Sequence, residues 1–215
     1  MDVVNTRTLS EITCNLFFYV RRILLSSNYG EELVYWYLRL NGFFTINNFV
    51  LHHSSEGRTS DADILAVRFP HVYEEIGGRE EDWDIRLFEK INQKKIIGLI
   101  CEVKTGLDFS SNELFKEVNL FKALGRFGFI ENLNKYSNEL SDKPYFQIDN
   151  YEIHKVLISR KRQSPRNDCL HISMIDIQQF IKKRMEKYID RKLPDRMFFQ
   201  SPLLQYIIWN ESLKN

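Results

Sequence analysis

The chain is short of cysteine, of net charge and of long apolar runs, and each shortage removes a class of protein. Its three cysteines, Cys14, Cys101 and Cys169, show no paired spacing. A disulfide framework is therefore not expected, and reduced thiols of a cytoplasmic protein are. The formal net charge is only +1, so bulk charge selects no partner. The longest apolar run near the N-terminus, Leu16–Val20, stops at Arg21-Arg22, and no basic segment precedes it. That excludes a spanning helix here and argues against a signal peptide. There is no internal repeat, no low-complexity tract and no linker that divides the chain. One domain over residues 1–215 is expected, with a core at 28–160, an N-terminal helix within 1–27 and C-terminal helices over 175–215.

What is present is globular in character. Hydrophobic residues make up 43% and charged residues 27% of the 215, with 16 Phe and 10 Tyr. That is enough apolar material for a core. Charge is unevenly distributed. From Tyr151 onward there are 13 Lys/Arg against 7 Asp/Glu, so the C-terminal third is basic, as a polyanion-binding face or an ordinary solvated helix face would be.

Residues 7–26 carry an apolar stripe at helical spacing, with Leu9, Ile12, Leu16, Val20, Ile23 and Leu24. A second helix is expected from Gly30 to Asn41. Asn28 and Glu31 are spaced as in a capping box, and Gly42 is a stop. Strands are expected over Phe43–Leu51, Asp61–Phe69 and Ile96–Lys104, and over Trp83–Ile91 a strand or, as the alternative, a short helix. A polar loop is expected over 52–60, which makes His52-His53 a loop feature, and an exposed acidic loop over 71–82. These strands suggest an antiparallel meander packed on the two helices. Further on, helices are expected at 112–124, capped by Ser110 or Ser111, and at 130–140, with GRFG (125–128) as the interruption. A loop then covers 141–150, and strands are expected at 151–160 and 169–174. Helices follow at 175–189 and 195–210, with Pro194 at their boundary and Pro202 a kink or restart.

The stretch that concentrates chemistry is IIGLICEVKTG, Ile96–Gly106. It is apolar until Glu102-Val103-Lys104. Strand side chains alternate, so Glu102 and Lys104 share a face while Cys101 and Val103 share the other. A carboxylate and an amine at the end of a buried strand form either a structural ion pair or a working site. Asp63, in DADIL, lies with Leu65 and Val67 on one face of an earlier strand, and Asp61 shares that face as a fallback. Carboxylate oxygens suit a hard divalent cation such as Mg²⁺. A lysine beside the cation could orient water and offset charge on a phosphorane-like transition state.

Asp63-Ile64-Leu65-Ala66 followed by Glu102-Val103-Lys104 resembles the PD-(D/E)XK nuclease superfamily, the restriction-endonuclease-like fold that includes Holliday-junction resolvases. Gly30-Glu31, Leu38 and Gly42 resemble that superfamily's first helix, and the resemblance spans roughly Gly30 to Gly106. Ala62 stands where the name-giving proline would be, and the 39 residues from Asp63 to Glu102 imply an insertion over 70–94.

The resemblance implies an α/β fold, with a mixed sheet containing an antiparallel meander, flanking helices and a helical C-terminal end. It also implies a Mg²⁺-dependent nuclease, with Mn²⁺ as a substitute, acting as a DNA endonuclease and leaving 5′-phosphate and 3′-hydroxyl ends. Asp63, Glu102, the Val103 carbonyl and Glu31 fall on the metal positions, and Lys104 on the position that serves the attacking water. Glu31 has a second reading as a helix cap alone, and Glu32 is the alternative acid.

Nucleic-acid contacts are expected from Lys116, Lys122, Arg126, Arg160, Lys161 and Arg162. The partner expected is double-stranded or branched DNA, with no membrane partner, and a homodimer would suit double-strand cleavage. The alternative function is a non-catalytic nucleic-acid-binding or assembly module that keeps the fold.

Overall fold

The computed structural model describes residues 28–53, 57–70, 72, 80–106, 109, 114–129, 131–160 and 167–214. The helix expected over 7–26, the caps Ser110 and Ser111, and Lys161 and Arg162 lie outside these. The described chain is α/β, with six strands in one mixed sheet and seven α-helices. In chain order these are α1 (Tyr29–Leu40), β1 (Phe44–His53), β2 (Gly57–Arg68), α2 (Ile85–Phe88), β3 (Ile96–Lys104), α3 (Glu117–Arg126), α4 (Leu133–Asp142), β4 (Tyr145–Ile148), β5 (Tyr151–Ser159), β6 (Leu170–Ser173), α5 (Met174–Lys187), α6 (Ile189–Asp195) and α7 (Pro202–Ser212).

β1, β2 and β3 form the expected antiparallel meander. β5 then runs parallel to β3, reached by a crossover through α3 and α4, as a parallel pair requires. β6 extends the parallel set, while β4 pairs antiparallel with β5. The sheet is covered on both faces. α1, α5 and α7 bury Val34, Tyr37, Ile177, Ile181, Leu204 and Ile208 against Ile64, Leu99, Cys101 and Val156. On the other face, Leu120, Ala123 and Leu124 of α3 and Leu140 of α4 pack on Leu65, Ile100, Ile153 and Leu157. Double coverage explains why β3 reads as a nearly continuous apolar run and why β5 is buried beyond Tyr151, its Glu152, His154 and Lys155 included.

α1 ends as expected at Gly42, whose φ of +82° is the left-handed conformation that a glycine adopts without a Cβ penalty. Several segments differ from expectation. The 83–91 stretch is not a strand but holds the alternative, a short helix. Asp84 caps a short helix by accepting from the Arg86 backbone N–H at 3.2 Å. The alternation that suggested a strand is incidental, because Leu87 is buried while Ile85 is 69% exposed.

The polar 52–60 segment is mostly hairpin. β1 continues to His53 and β2 begins at Gly57, because pairing across the ladder satisfies the backbone whatever the side-chain polarity. The helix expected from 112 begins only at Glu117, after Phe115 adopts a φ of +51°. The next begins at Leu133 rather than 130. The loop expected at 141–150 contains β4, a four-residue edge strand too short for a periodicity signal. Pro194 lies inside α6 and Pro202 opens α7, where a missing N–H costs nothing.

The 80–82 turn is tied to the end of α5 by buried charge. Asp82 accepts from Lys187 Nζ and from Tyr188 Oη, the latter at 2.5 Å, while Arg184 donates to its backbone carbonyl. Burial works to raise its pKa, but the Lys187 and Tyr188 hydrogen bonds and the Arg184 charge outweigh that and hold it below the usual carboxylate value. A depressed folded pKa contributes stability above the unfolded value of about 3.9 and loses it as pH falls through the folded value. Asp82→Asn should therefore show a shallower loss of urea stability than wild type below about pH 4. Parallel acid limbs for the two proteins would reject this.

Candidate active site at the end of the parallel strands

The β2–β3 ladder runs from Arg68↔Ile97 to Ile64↔Cys101. One further step in the same register sets Asp63 opposite Glu102. At that point the side chain takes over from the ladder, and the Val103 N–H donates to Asp63 Oδ2 at 2.7 Å. In an extended strand the N–H and C=O of one residue point to the same edge, so the Val103 carbonyl also faces the β2 side. The next carbonyl, that of Lys104, faces the other way and accepts from the Arg160 N–H at 3.1 Å. The 39-residue path from Asp63 to Glu102 thus closes into two adjacent antiparallel strands.

Lys104 Nζ donates to Glu102 Oε2 at 2.8 Å and lies 4.0 Å from Asp63 Oδ2. The three charges share one side of the sheet. Their side chains are 12% (Glu102), 22% (Asp63) and 29% (Lys104) exposed, sheltered enough to strengthen electrostatics and open enough to meet a ligand. Burial raises the Glu102 pKa and the Asp63 charge adds to this, while the Lys104 hydrogen bond and charge and the Lys116 charge oppose it. Glu102 therefore sits in surroundings that favour a further cation. On the opposite face Cys101 is fully buried, and burial followed by the Asp63 and Glu102 charges pushes its thiol pKa far up, which makes it inert as a nucleophile.

The donor set fits Mg²⁺ better than a transition metal. Among the described residues no group of three or more His, Cys, Asp or Glu is arranged to hold a metal ion. Mg²⁺ needs only one or two carboxylates, with water and phosphate oxygens completing its shell. Asp63 and Glu102, with the Val103 carbonyl at the same edge, supply that much.

α1 approaches the same corner. A Cβ on Gly30 would stand 2.3 Å from Thr105 Cγ2 and 3.0 Å from Met174 Cε, so only glycine lets the helix start this close to the end of β3. Asn28 caps α1 by accepting from the Gly30 N–H at 3.0 Å, and its Nδ2 donates to Glu31 Oε1 at 2.9 Å. This is a side-chain variant of the expected capping box. Glu32 accepts from Ser201 Oγ at 2.6 Å, which directs it to the start of α7.

The expected basic contacts separate in space. Lys116, exposed at the start of α3, acts on Glu102. Arg126 ends α3, about 15 Å along the helix axis from Lys116, with Lys122 between them on the same helix. Arg160 immediately follows β5 and is exposed beside Lys104. Asp61 pairs with Val50 in the β1–β2 ladder, outside the β2–β3 ladder.

Sequence reasoning missed Ser159 and His171. Ser159 is in register with Lys104, and its Oγ lies 2.8 Å from His171 Nε2. A serine and a histidine twelve residues apart on two strands carry no local signal. Among the described residues no helix is long and apolar enough to cross a membrane. Compared with family models, curated proteins and solved structures, the chain matches none.

Proposed function

We propose that the protein is a metal-dependent nuclease of the restriction-endonuclease-like fold, a member of the PD-(D/E)XK superfamily, that hydrolyses phosphodiester bonds in DNA. The observation that carries this reading is the meeting of Asp63, Glu102 and Lys104 on one side of the sheet, where the β2–β3 ladder ends. Three further features support it. The site lies at the carboxyl ends of the parallel strands β3, β5 and β6, where α/β sheets place their ligands. The two acids and the lysine come from adjacent strands in the order the superfamily uses. A glycine-started helix, the one that carries Glu31 in its first turn, packs against Thr105, the residue after Lys104.

Asp63 and Glu102 would hold Mg²⁺ or Mn²⁺, with the Val103 carbonyl as a further oxygen donor and Glu31 as an outer acid. A cation at such a carboxylate pair supplies Lewis-acid polarisation of phosphate oxygens and neutralises developing charge. Lys104 keeps its ammonium poised through Glu102, orients the attacking water and donates to the oxygens of the phosphorane-like transition state. The Val103 N–H fixes one Asp63 oxygen, Oδ2. Lys116 and Arg160 flank the site and receive substrate phosphates. Cleavage leaves 5′-phosphate and 3′-hydroxyl ends.

The closed Glu102–Lys104 pair at 2.8 Å favours one competitor, a non-catalytic module in which the two charges only satisfy each other. Incubation with supercoiled plasmid, linear duplex, branched duplex and RNA separates the two readings. The nuclease reading expects chelator-sensitive cleavage in Mg²⁺ or Mn²⁺. Binding without turnover on every substrate would leave the module reading standing.

A further inference from the structure

A groove of about 600 Å³ opens at the carboxyl end of β3, on the α1, α5 and α7 face of the sheet. Its floor begins at Thr105, the residue after β3. One wall is the start of α1 with Tyr29, another is the first turns of α5 with Gln178 and Lys182, and the third is α7 with Tyr206. Arg160, whose N–H is bonded to the Lys104 carbonyl, also lines it. The groove meets the end of β3 at Thr105, on the α1, α5 and α7 face of the sheet, whereas the Lys104 side chain just before it lies with Glu102 on the opposite face.

Its chemistry is one-sided. Among the described residues that line it there are two cationic side chains, Arg160 and Lys182, and no carboxylate, although Asp/Glu and Lys/Arg are almost equal in number over the whole chain. Two aromatic rings at its rim are turned to solvent, Tyr29 at 71% and Tyr206 at 58% exposure. Tyr206 is further backed by Trp209, ring centroids 6.4 Å apart, itself 48% exposed. Large aromatic surface left in water beside fixed positive charge is costly to a fold that does not use it. The combination suits a polyanion with planar groups. A continuous duplex buries its base faces in its own stack and offers the rings nothing. Unpaired nucleotides offer both phosphates and base faces.

We propose that this groove binds unpaired nucleotides of the substrate strand that pass round the carboxyl end of β3 from the acid–lysine face. Tyr29 and Tyr206 stack on bases, and Arg160 and Lys182 neutralise the connecting phosphates. The preferred substrate is then single-stranded DNA, or duplex with a single-stranded flap or branch at the cut. The inference deepens the nuclease reading and rests on it for the position of the scissile phosphate.

The test separates binding from cleavage. Fluorescence anisotropy in chelator measures the affinity of the full chain for a labelled oligothymidylate of about 12 nucleotides, in the range of known single-strand footprints, and for a duplex of the same length. Wild type should prefer the single strand. Tyr29→Ala and Tyr206→Ala, both at exposed positions, should each weaken that binding about tenfold, in keeping with the loss of one base–aromatic stack. They should leave duplex affinity and the thermal midpoint unchanged. Lys182→Gln should lower the slope of log affinity against log salt by about 0.7, the value of one single-strand phosphate contact. Equal affinity for single strand and duplex, or tyrosine variants that bind the single strand as wild type does, would overturn the proposal.

Cleavage of the same oligonucleotide in Mg²⁺ and Mn²⁺ is scored separately. Tyrosine-dependent binding with no cleavage by wild type keeps the groove and removes the nuclease. Metal-dependent cleavage with tyrosine-independent binding does the reverse.

Discussion

Glu102→Ala protein, incubated with plasmid in Mg²⁺, should leave the DNA intact, with a rate at least about 10²–10³-fold below wild type, the loss typical when one electrostatic element of a preorganised site is removed. Asp63→Ala and Lys104→Ala should fall as far, for different reasons. Asp63→Ala removes a cation ligand and also strips the Val103 N–H of its 2.7 Å acceptor. Glu102→Ala removes a ligand and the partner that holds Lys104 Nζ at 2.8 Å. Lys104→Ala leaves two carboxylates facing each other without a cation, so its apparent affinity for Mg²⁺ should rise even as turnover disappears. Three groups acting as a unit should also be non-additive, so the double variant Glu102→Ala/Lys104→Ala should be no slower than either single one. Far-ultraviolet circular dichroism and the thermal midpoint check that the fold persists. Full activity of Glu102→Ala, with a chelator-sensitive wild type, would remove the assignment.

The largest effect on stability is expected at Asp84, far from these charges in role. Asp84 is 4% exposed and accepts from Tyr37 Oη at 3.0 Å and from Arg86 Nε and Nη2 at 2.9 Å each. Its own N–H donates to Asn41 Oδ1 at 2.7 Å, and Arg86 continues to Asp176 of α5 at 3.0 Å. One carboxylate therefore joins α1, α2 and α5. Burial, then the Asp84 charge, raises the Tyr37 pKa well above its ordinary value, so the phenol remains a donor at any working pH. Asp84→Ala would leave a fully buried hydroxyl and part of a guanidinium without their acceptor. A buried donor left unmet costs about 1–3 kcal/mol and a charged contact somewhat more, so a loss of about 3 kcal/mol is expected. For a chain of this size that is a fall in Tm on the order of 6–12 °C. Urea and thermal denaturation measure it, and a loss under about 1 kcal/mol would show that water replaces Asp84 in the network.

Much of this fold can be traced to local pattern. β3 is apolar because both faces of the sheet are covered, and that run is visible in IIGLIC, while in β5 it is visible only in VLI. α1 has its stripe, its Asn28 cap and its Gly42 stop in one short segment. Where pattern misled, a local competitor prevailed. Asp84 turned an alternating stretch into a capped helix, and ladder pairing drew the polar ends of β1 and β2 into a hairpin. β4 was illegible because four residues at a sheet edge are held by β5 rather than by their own periodicity.

The candidate site divides in the same way. Period-two alternation alone set Glu102 and Lys104 on one face, and Asp63 with Leu65 and Val67 on one face, because side-chain direction along a strand is a local property. Which face of β2 meets which face of β3 is not local. It required antiparallel pairing in a register that sets Asp63 opposite Glu102, and a ladder that ends there so that a side chain could take the Val103 N–H. The same holds for the groove. Tyr29, Thr105, Arg160, Lys182 and Tyr206 are spread over 178 residues of sequence and belong to five separate segments, so no spacing rule could gather them. The sequence by itself determined which residues could carry chemistry and the strand faces they occupy, since both follow from covalent geometry and side-chain type. Only the tertiary structure decided that they meet, because strand register and helix packing depend on burial summed over the whole sheet, and a shift of one residue would have turned Asp63 away from Glu102.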